Sequence, residues 1–295
     1  MVATIGFFDG VHKGHLHLLQ SLIDEARRRQ DSAMVITFLD HPRRVLRKDY
    51  IPELLSSNTE KEILLSQAGV DEVVFLEFNE DFSHLTAYEF MKTYLRDRLG
   101  VNVLLMGYDH HFGCDPNETI QDIQRHGAEL GIEVLPCDGF RMESTKVSST
   151  TIRRALKTGD LKTARECLGY DYSITGIIVE GHQVGRCMGF PTANIHPSNP
   201  DKLLPACGVY AIHAEVGAQR YGGVLNIGHR PTLNNGNNLS IEAHLFDFEG
   251  NLYGKTLTVS LVARLRDELK FESREDLQQQ IHADVSMAKR ILAAQ

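Results

Sequence analysis

Hydrophobic positions in the first 137 residues fall into two alternating textures. Short runs rich in Val, Ile, Leu and Phe, namely VATIGFF, AMVITFL, VVFLEF, VNVLLMG and IEVLPC, are separated from one another by single amphipathic stretches. That rhythm predicts a parallel sheet with crossover helices. In the first amphipathic stretch Leu16, Leu19, Leu22, Ile23 and Ala26 share one helical face. Thr59 with Glu62, and Thr86 with Glu89, have the spacing of capping boxes and predict the starts of the next two helices.

The texture then changes. IRRALKTGDLKTARECL reads as helix broken at Gly159 and ending near Gly169. From Tyr172 onward, β runs crowd together (YSITGIIVE, GVYAIHAEV, YGGVLNIG, LSIEAHLFDF, LTVSLVARLR), divided by Gly, Asn and Pro, before a last helix over roughly Ser273 to Leu292. Clustered strands with turn signals predict a barrel or sandwich. The expected organisation is a domain over residues 1–160, a linker at 161–171 and a second domain over 172–295, with no internal repeat. Asn234 to Asn238, rich in Asn and Gly, reads as a mobile loop.

Length and composition agree with this picture. A chain of 295 residues is long enough for two cores, and 42% hydrophobic with 24% charged residues is a globular composition. With 31 basic and 39 acidic residues, the net charge of -8 supplies no field for gripping a long nucleic acid. Small-molecule partners are expected, without nucleic acid. No apolar run has bilayer length and the start is no signal peptide, so no membrane and a cytoplasmic location are expected. Five cysteines, widely spaced and without a C-x-x-C pair, read as reduced packing residues. Oligomeric state, monomer or homo-oligomer, is left open.

Chemistry concentrates where the predicted strands end, the place at which open α/β sheets bind ligands. GFFDGVHKGH follows the first strand and leads into the first helix. Gly6, Gly10 and Gly14 let backbone approach a phosphate, the helix start offers free amides, and His12 and His15 can point into one space. Incidental surface histidines, or a metal pair lacking a third ligand, are the alternatives. In KVSSTTIR, the hydroxyls of Ser148, Ser149 and Thr150 with Arg153 suit phosphate oxygens, and equally an N-cap cluster.

These strings carry a resemblance. GFFDGVHKGH resembles the H-x-G-H signature of the nucleotidylyltransferase superfamily, and KVSSTTIR its I-S-S-T-x-I-R form. Members join a nucleotide's α-phosphate to an acceptor and release pyrophosphate. TFLDHP (37–42) and GYDHHFG (107–113) are similar to the T-F-x-x-H-P and G-x-D-F-R-F-G segments of the bacterial FAD synthetase branch. The resemblance implies His12 and His15 as catalytic and ATP at Gly6, Phe7, Asp9, Gly10, Gly14, Ser148, Ser149, Thr150 and Arg153. It implies FMN at Phe38, His41, Pro42, Asp109, His110 and Phe112. His110 and His111 stand where that pattern often has Phe and Arg, which leaves the role of His111 open. A metal cluster of His110, His111 and Cys114 is disfavoured, because adjacent residues of an extended segment point in opposite directions.

GRCMGFPTAN (185–194) matches the G-R-x-x-G-F-P-T-A-N signature of riboflavin kinases, and GVYA, NIGHRPT and RLRDELKF follow that family's pattern in order. The resemblance implies that Thr192 and Asn194 hold Mg2+ and ATP phosphates, and that Glu242 is the catalytic carboxylate. It assigns Gly185, Arg186, Gly189, Phe190, Pro191, Asn226 and Arg266 to ATP and flavin. Read without it, P-T-A-N is a proline turn with an Asx bond, Glu242 an exposed strand carboxylate and Arg266 a surface arginine.

The implied fold is an α/β Rossmann-like nucleotidylyltransferase domain followed by a mainly antiparallel β-barrel riboflavin kinase domain with a C-terminal helix. The implied activity uses ATP and Mg2+ to make FMN from riboflavin and then FAD from FMN. A nucleotidylyltransferase with another acceptor, and a flavin carrier without turnover, are the rivals. Relatives usually carry a segment before the first strand; Met1 lies almost at that strand here, which reads as a trimmed chain or a weakly anchored strand.

Overall fold

A computed structural model describes residues 1–47, 49–107, 112–140, 147–180, 189–229 and 239–294. The first five apolar runs form strands β1 (Val2–Ile5), β2 (Ala33–Phe38), β3 (Glu72–Leu76), β4 (Val103–Gly107) and β5 (Glu133–Cys137). All pair in parallel, in the order β3-β2-β1-β4-β5. A parallel sheet is covered on both faces, which is why its central strands read as unbroken apolar runs. Val2, Val35 and Leu105 pack into one core, and Ala3, Met34 and Leu104 into the core across the sheet. Far from weakly anchored, β1 is the middle strand.

Helix α1 (Lys13–Arg29) buries Leu19, Leu22, Ile23 and Ala26, as the spacing predicts. Short α2 (Pro42–Leu46) precedes α3 (Asn58–Gln67), whose capping box is Ser57 with Glu60, two residues earlier than Thr59 with Glu62. The predicted box of Thr86 and Glu89 is present; it opens α5 (Ala87–Phe90), after α4 (Glu80–Ser83), and α5 runs on as a π-helix over Met91–Arg98. Helix α6 (Ile120–Leu130) leads to β5.

Helices α7 (Ser149–Thr158) and α8 (Leu161–Leu168) flank the break at Gly159, and α8 ends at Gly169 in the left-handed conformation. Six strands follow: β6 (Ser173–Val179), β7 (Ala193–Pro197), β8 (Gly208–Val216), β9 (Gln219–His229), β10 (Leu239–Leu245) and β11 (Thr256–Arg266). They close an antiparallel barrel in the order β10-β7-β6-β11-β8-β9. The terminal helix α9 (Arg274–Ala293), capped by Ser273, packs Val285, Ala288 and Leu292 against Ala211, Val224 and Phe246 of the barrel. The chain divides into two compact units, Met1–Ser149 and Thr150–Gln295, so most of α7 and all of α8 group with the barrel. The Asn/Gly stretch at 234–238 lies outside the described residues.

Candidate active sites

Between β1 and α1 the chain turns through three left-handed residues, Phe8 (φ 50°), Gly10 (φ 77°) and Val11 (φ 34°). Only glycine adopts that region freely; a non-glycine residue there costs roughly 1–3 kcal/mol and persists where its surroundings over-determine it. Here they do. Phe8 and Val11 are buried, and Asp9 Oδ1 accepts hydrogen bonds from the amides of Leu55 (2.8 Å) and Ser56 (3.1 Å). The Gly10 amide donates to Ser56 Oγ (3.0 Å). Ser149, the first residue of α7, donates its hydroxyl to the Asp9 carbonyl (3.1 Å), bringing the second signature onto the first.

His12 is buried and serves as the N-cap of α1, its Nδ1 accepting from the His15 amide at 3.2 Å. The two imidazoles stack, with centroids 3.6 Å apart and planes 12° apart. A Cβ on Gly14 would stand 3.2 Å from the His12 ring, so glycine is what lets the ring lie there. His15 Nδ1 is enclosed without a hydrogen-bond partner. Burial first, then the neighbouring His12 and Lys61, hold the His15 pKa well below its usual 6.5. Two stacked imidazoles at the positive end of a helix can meet phosphate oxygens with their N–H groups.

Sequence-predicted acceptor residues divide into two groups. His41 caps α2 through Nδ1, which accepts from the Arg43 amide (3.1 Å), and its ring stands 4.5 Å from Phe7, beside Pro42 at the start of that helix. Phe38 is 7% exposed and packs on Phe78 and Phe82, while Phe112 meets Phe90, so both rings belong to the aromatic core. Gly6 leaves β1 with its amide bonded to the Ile36 carbonyl (3.0 Å). Ser148 is half-buried; Thr150 and Arg153 lie on α7. Asp109, His110 and His111 lie outside the described residues. Sequence reasoning missed Lys61, a fully buried lysine four residues before buried Leu65 on α3.

In the barrel, strand register assembles the second site. Glu242 on β10 stands opposite Asn194 on β7 and Asn226 on β9; Asn226 stands opposite Val209 on β8, and Val209 opposite Arg266 on β11. Opposed residues of an antiparallel ladder share a face. Four predicted residues therefore form one belt. Thr192 Oγ1 donates to Glu242 Oε2 at 3.3 Å. Arg266 is gripped by Asp284 of α9, with Nε at 3.0 and 3.1 Å from the two carboxylate oxygens and Nη2 at 2.8 Å, and Gln280 donates to the same carboxylate (2.9 Å).

A cavity of about 370 Å³ lies between this wall and α9, lined by Thr192, Asn226, Glu242 and Arg266 together with apolar Phe190, Leu269, Phe271 and Ile281. A second cavity of about 520 Å³ is lined by Pro191, Thr192, Ala193, Phe248, Asn251 and Tyr253. Thr192 belongs to both. The two cavities thus adjoin at Thr192, whose hydroxyl bonds Glu242 on the side facing α9. Gly189 (φ 84°) turns the chain into this segment, and the Phe190 ring rests against His244 and His282. Gly185 and Arg186 lie outside the described residues. Strand β7 and Asp284 were missed. The alternation of Ala193, Ile195 and Pro197 is short, and a helical aspartate ordinarily reads as solvent-facing.

Residues 1–151 match the family model described as FAD synthetase, and residues 168–292 that described as riboflavin kinase. The chain is 36% identical over 292 residues to the bifunctional riboflavin kinase/FMN adenylyltransferase of Pseudomonas fluorescens, covering 99% of this chain and 93% of that one. Identity to the protein of the same name from Bacillus subtilis (strain 168) is 35%, over 98% of this chain and 92% of the relative. A crystal structure of a protein called macrolide-efflux protein, from Streptococcus pneumoniae, matches with a TM-score of 0.89 and 32% identity, covering 98% of this chain and 93% of that one. Among the described residues no helix is long and apolar enough to cross a membrane. With both halves matched and relatives aligned over nearly its whole length, the chain belongs to the bifunctional riboflavin kinase/FMN adenylyltransferase family.

Proposed function

We infer that the chain phosphorylates riboflavin to FMN with ATP, and adenylates FMN with a second ATP to give FAD and pyrophosphate. The observation that carries the site assignment is the belt Asn194–Glu242–Asn226, set where the two barrel cavities share Thr192. Riboflavin occupies the cavity against α9, whose apolar wall suits an isoalloxazine, with Arg266 held toward it by Asp284. ATP occupies the neighbouring cavity. The Glu242 carboxylate accepts the proton of riboflavin's terminal hydroxyl as that oxygen bonds to the γ-phosphorus and ADP leaves.

Thr192 offers a hydroxyl and Asn194 an amide oxygen beside the Glu242 carboxylate, a set of hard oxygen donors that fits Mg2+. When bound there, the ion neutralises phosphate charge. In the first unit no side-chain nucleophile is required: the FMN phosphate attacks the α-phosphorus of ATP and pyrophosphate departs. His12, His15 and the first amides of α1 stabilise the charge that builds. The cysteines among the described residues are free, which suits a reducing compartment, and we place the enzyme in the cytoplasm with small molecules as its partners.

Glu242→Gln tests the kinase assignment. Riboflavin phosphorylation should fall about 100- to 10,000-fold, while FMN supplied directly is still converted to FAD. Chromatographic separation of riboflavin, FMN and FAD reads both steps, and undiminished phosphorylation would remove Glu242 from this role.

A further inference from the structure

Lys61 is 1% exposed, on a helix that borders the glycine-histidine loop. Its Nζ stands 4.1 Å from the centroid of the Phe7 ring and donates to Thr37 Oγ1 at 3.4 Å. Thr37 Oγ1 in turn donates to the Phe7 carbonyl (3.2 Å), so ring and backbone of Phe7 are both held from this side. An ammonium has three donors. One long hydrogen bond, the near ring of Phe7 and the more distant ring of Phe75 answer it here.

The surrounding groups set its charge. Asp9, on the loop after β1, favours the protonated form; burial opposes it more strongly and brings the Lys61 pKa from 10.5 to about 8. His15, on α1, is held more neutral by the ammonium, and stacks with His12. Strands β2 and β3 present Thr37 and the Phe75 ring, neither of which is charged. A buried cation so thinly partnered costs stability, and a methionine-like side chain would fill the same space without that cost. Such residues persist where an activity uses them.

We propose that Lys61 is a positioning residue for adenylyl transfer: its ammonium fixes Phe7 and Asp9, at the entry of the strained loop, and faces positive charge toward the His12–His15 pair that receives the triphosphate. The segment leading into α3 already holds Asp9 through the amides of Leu55 and Ser56, so one stretch of chain clamps the loop at both points. The assignment rests on the adenylyltransferase reading of this unit.

The test is kcat/KM for ATP in FMN adenylylation by the full chain, from about pH 6 to about pH 10, in wild type, Lys61→Met and Lys61→Arg. Riboflavin phosphorylation in the same samples is the internal reference. Wild-type kcat/KM should decline as pH rises through about 8, because the working form is the protonated one. Lys61→Met should lose roughly 10- to 100-fold, keep or raise its thermal midpoint, and show no such decline. Lys61→Arg, whose guanidinium stays charged, should retain activity to within about threefold and also lose the decline.

A Lys61→Met enzyme as active as wild type would overturn the proposal. So would a decline kept by both variants, or a lowered thermal midpoint with the pH profile unchanged, which marks a purely structural pillar. Should Lys61→Met not fold, the comparison of wild type with Lys61→Arg decides alone. His15→Ala separates the two levels: continued FAD formation there would defeat the placement of adenylyl transfer at the glycine-histidine loop, whereas its loss beside a fully active Lys61→Met would defeat only the role of Lys61.

Discussion

His15 shows how one side chain can be tuned by its position. Its ring lies against His12 with Nδ1 enclosed, and the pKa is depressed first by burial. In the unfolded chain the imidazole takes up a proton as pH drops through about 6.5, whereas the folded state resists until well below that. Folding stability is therefore present above pH 6.5 and is lost as pH falls beneath it. The first unit should show a lower urea midpoint at about pH 5.5 than at about pH 7.5, and His15→Asn should flatten that difference. An unaltered slope in the variant would assign the acid sensitivity to other groups. Neutral His15 is still suited to its proposed task, since a neutral imidazole keeps one N–H to donate to a phosphate oxygen.

At the scale of elements, the apolar pattern was legible wherever burial alternates cleanly. Strands β1, β2 and β4, the face of α1, the break at Gly159 and the long barrel strands all follow from it. What could not be read depends on contacts distant in sequence. Ser57–Glu60 and Thr59–Glu62 offer the same capping spacing, and the choice falls to the first because Asp9 takes the amides of Leu55 and Ser56 immediately before it. The π-helix over Met91–Arg98 differs too little in period from an α-helix to show in eight residues. Of the residues proposed here for the two sites, His12, His15, Thr192 and Glu242 stand within sequence signatures, whereas Lys61 and Asp284 stayed hidden because a helical charge reads as solvent-facing. Packing also outweighs propensity at Gly127 on α6, where an added Cβ would stand 2.5 Å from the Ile132 carbonyl oxygen and 2.7 Å from Val134 Cγ2. Alanine favours a helix by about 1 kcal/mol, but backbone cannot retreat as a flexible side chain would. Gly127→Ala should destabilise the first unit by about 1–2 kcal/mol net, read as a lower urea midpoint at unchanged slope.

For the whole molecule, the question is whether two activities share more than a chain. The sheet unit has its cores on both faces of β1 and β2, while α9 packs on the barrel; His12 and His15 lie in the first unit and Glu242 in the second. Asp9 is fixed by Leu55, Ser56 and Ser149, and His12 accepts from the His15 amide; Glu242 is fixed by Thr192 and its strand partners. His15→Ala should accordingly leave riboflavin phosphorylation within about twofold of wild type while FAD formation falls by roughly 100-fold or more, so that FMN accumulates where wild type passes it on. A time course with riboflavin, ATP and magnesium distinguishes the outcomes by the FMN peak: transient in wild type, rising to a plateau in the variant. Loss of both products from a variant with a wild-type thermal midpoint would mean instead that phosphorylation by the barrel depends on the state of the sheet unit. The two half-reactions would then have to be treated as one coupled machine.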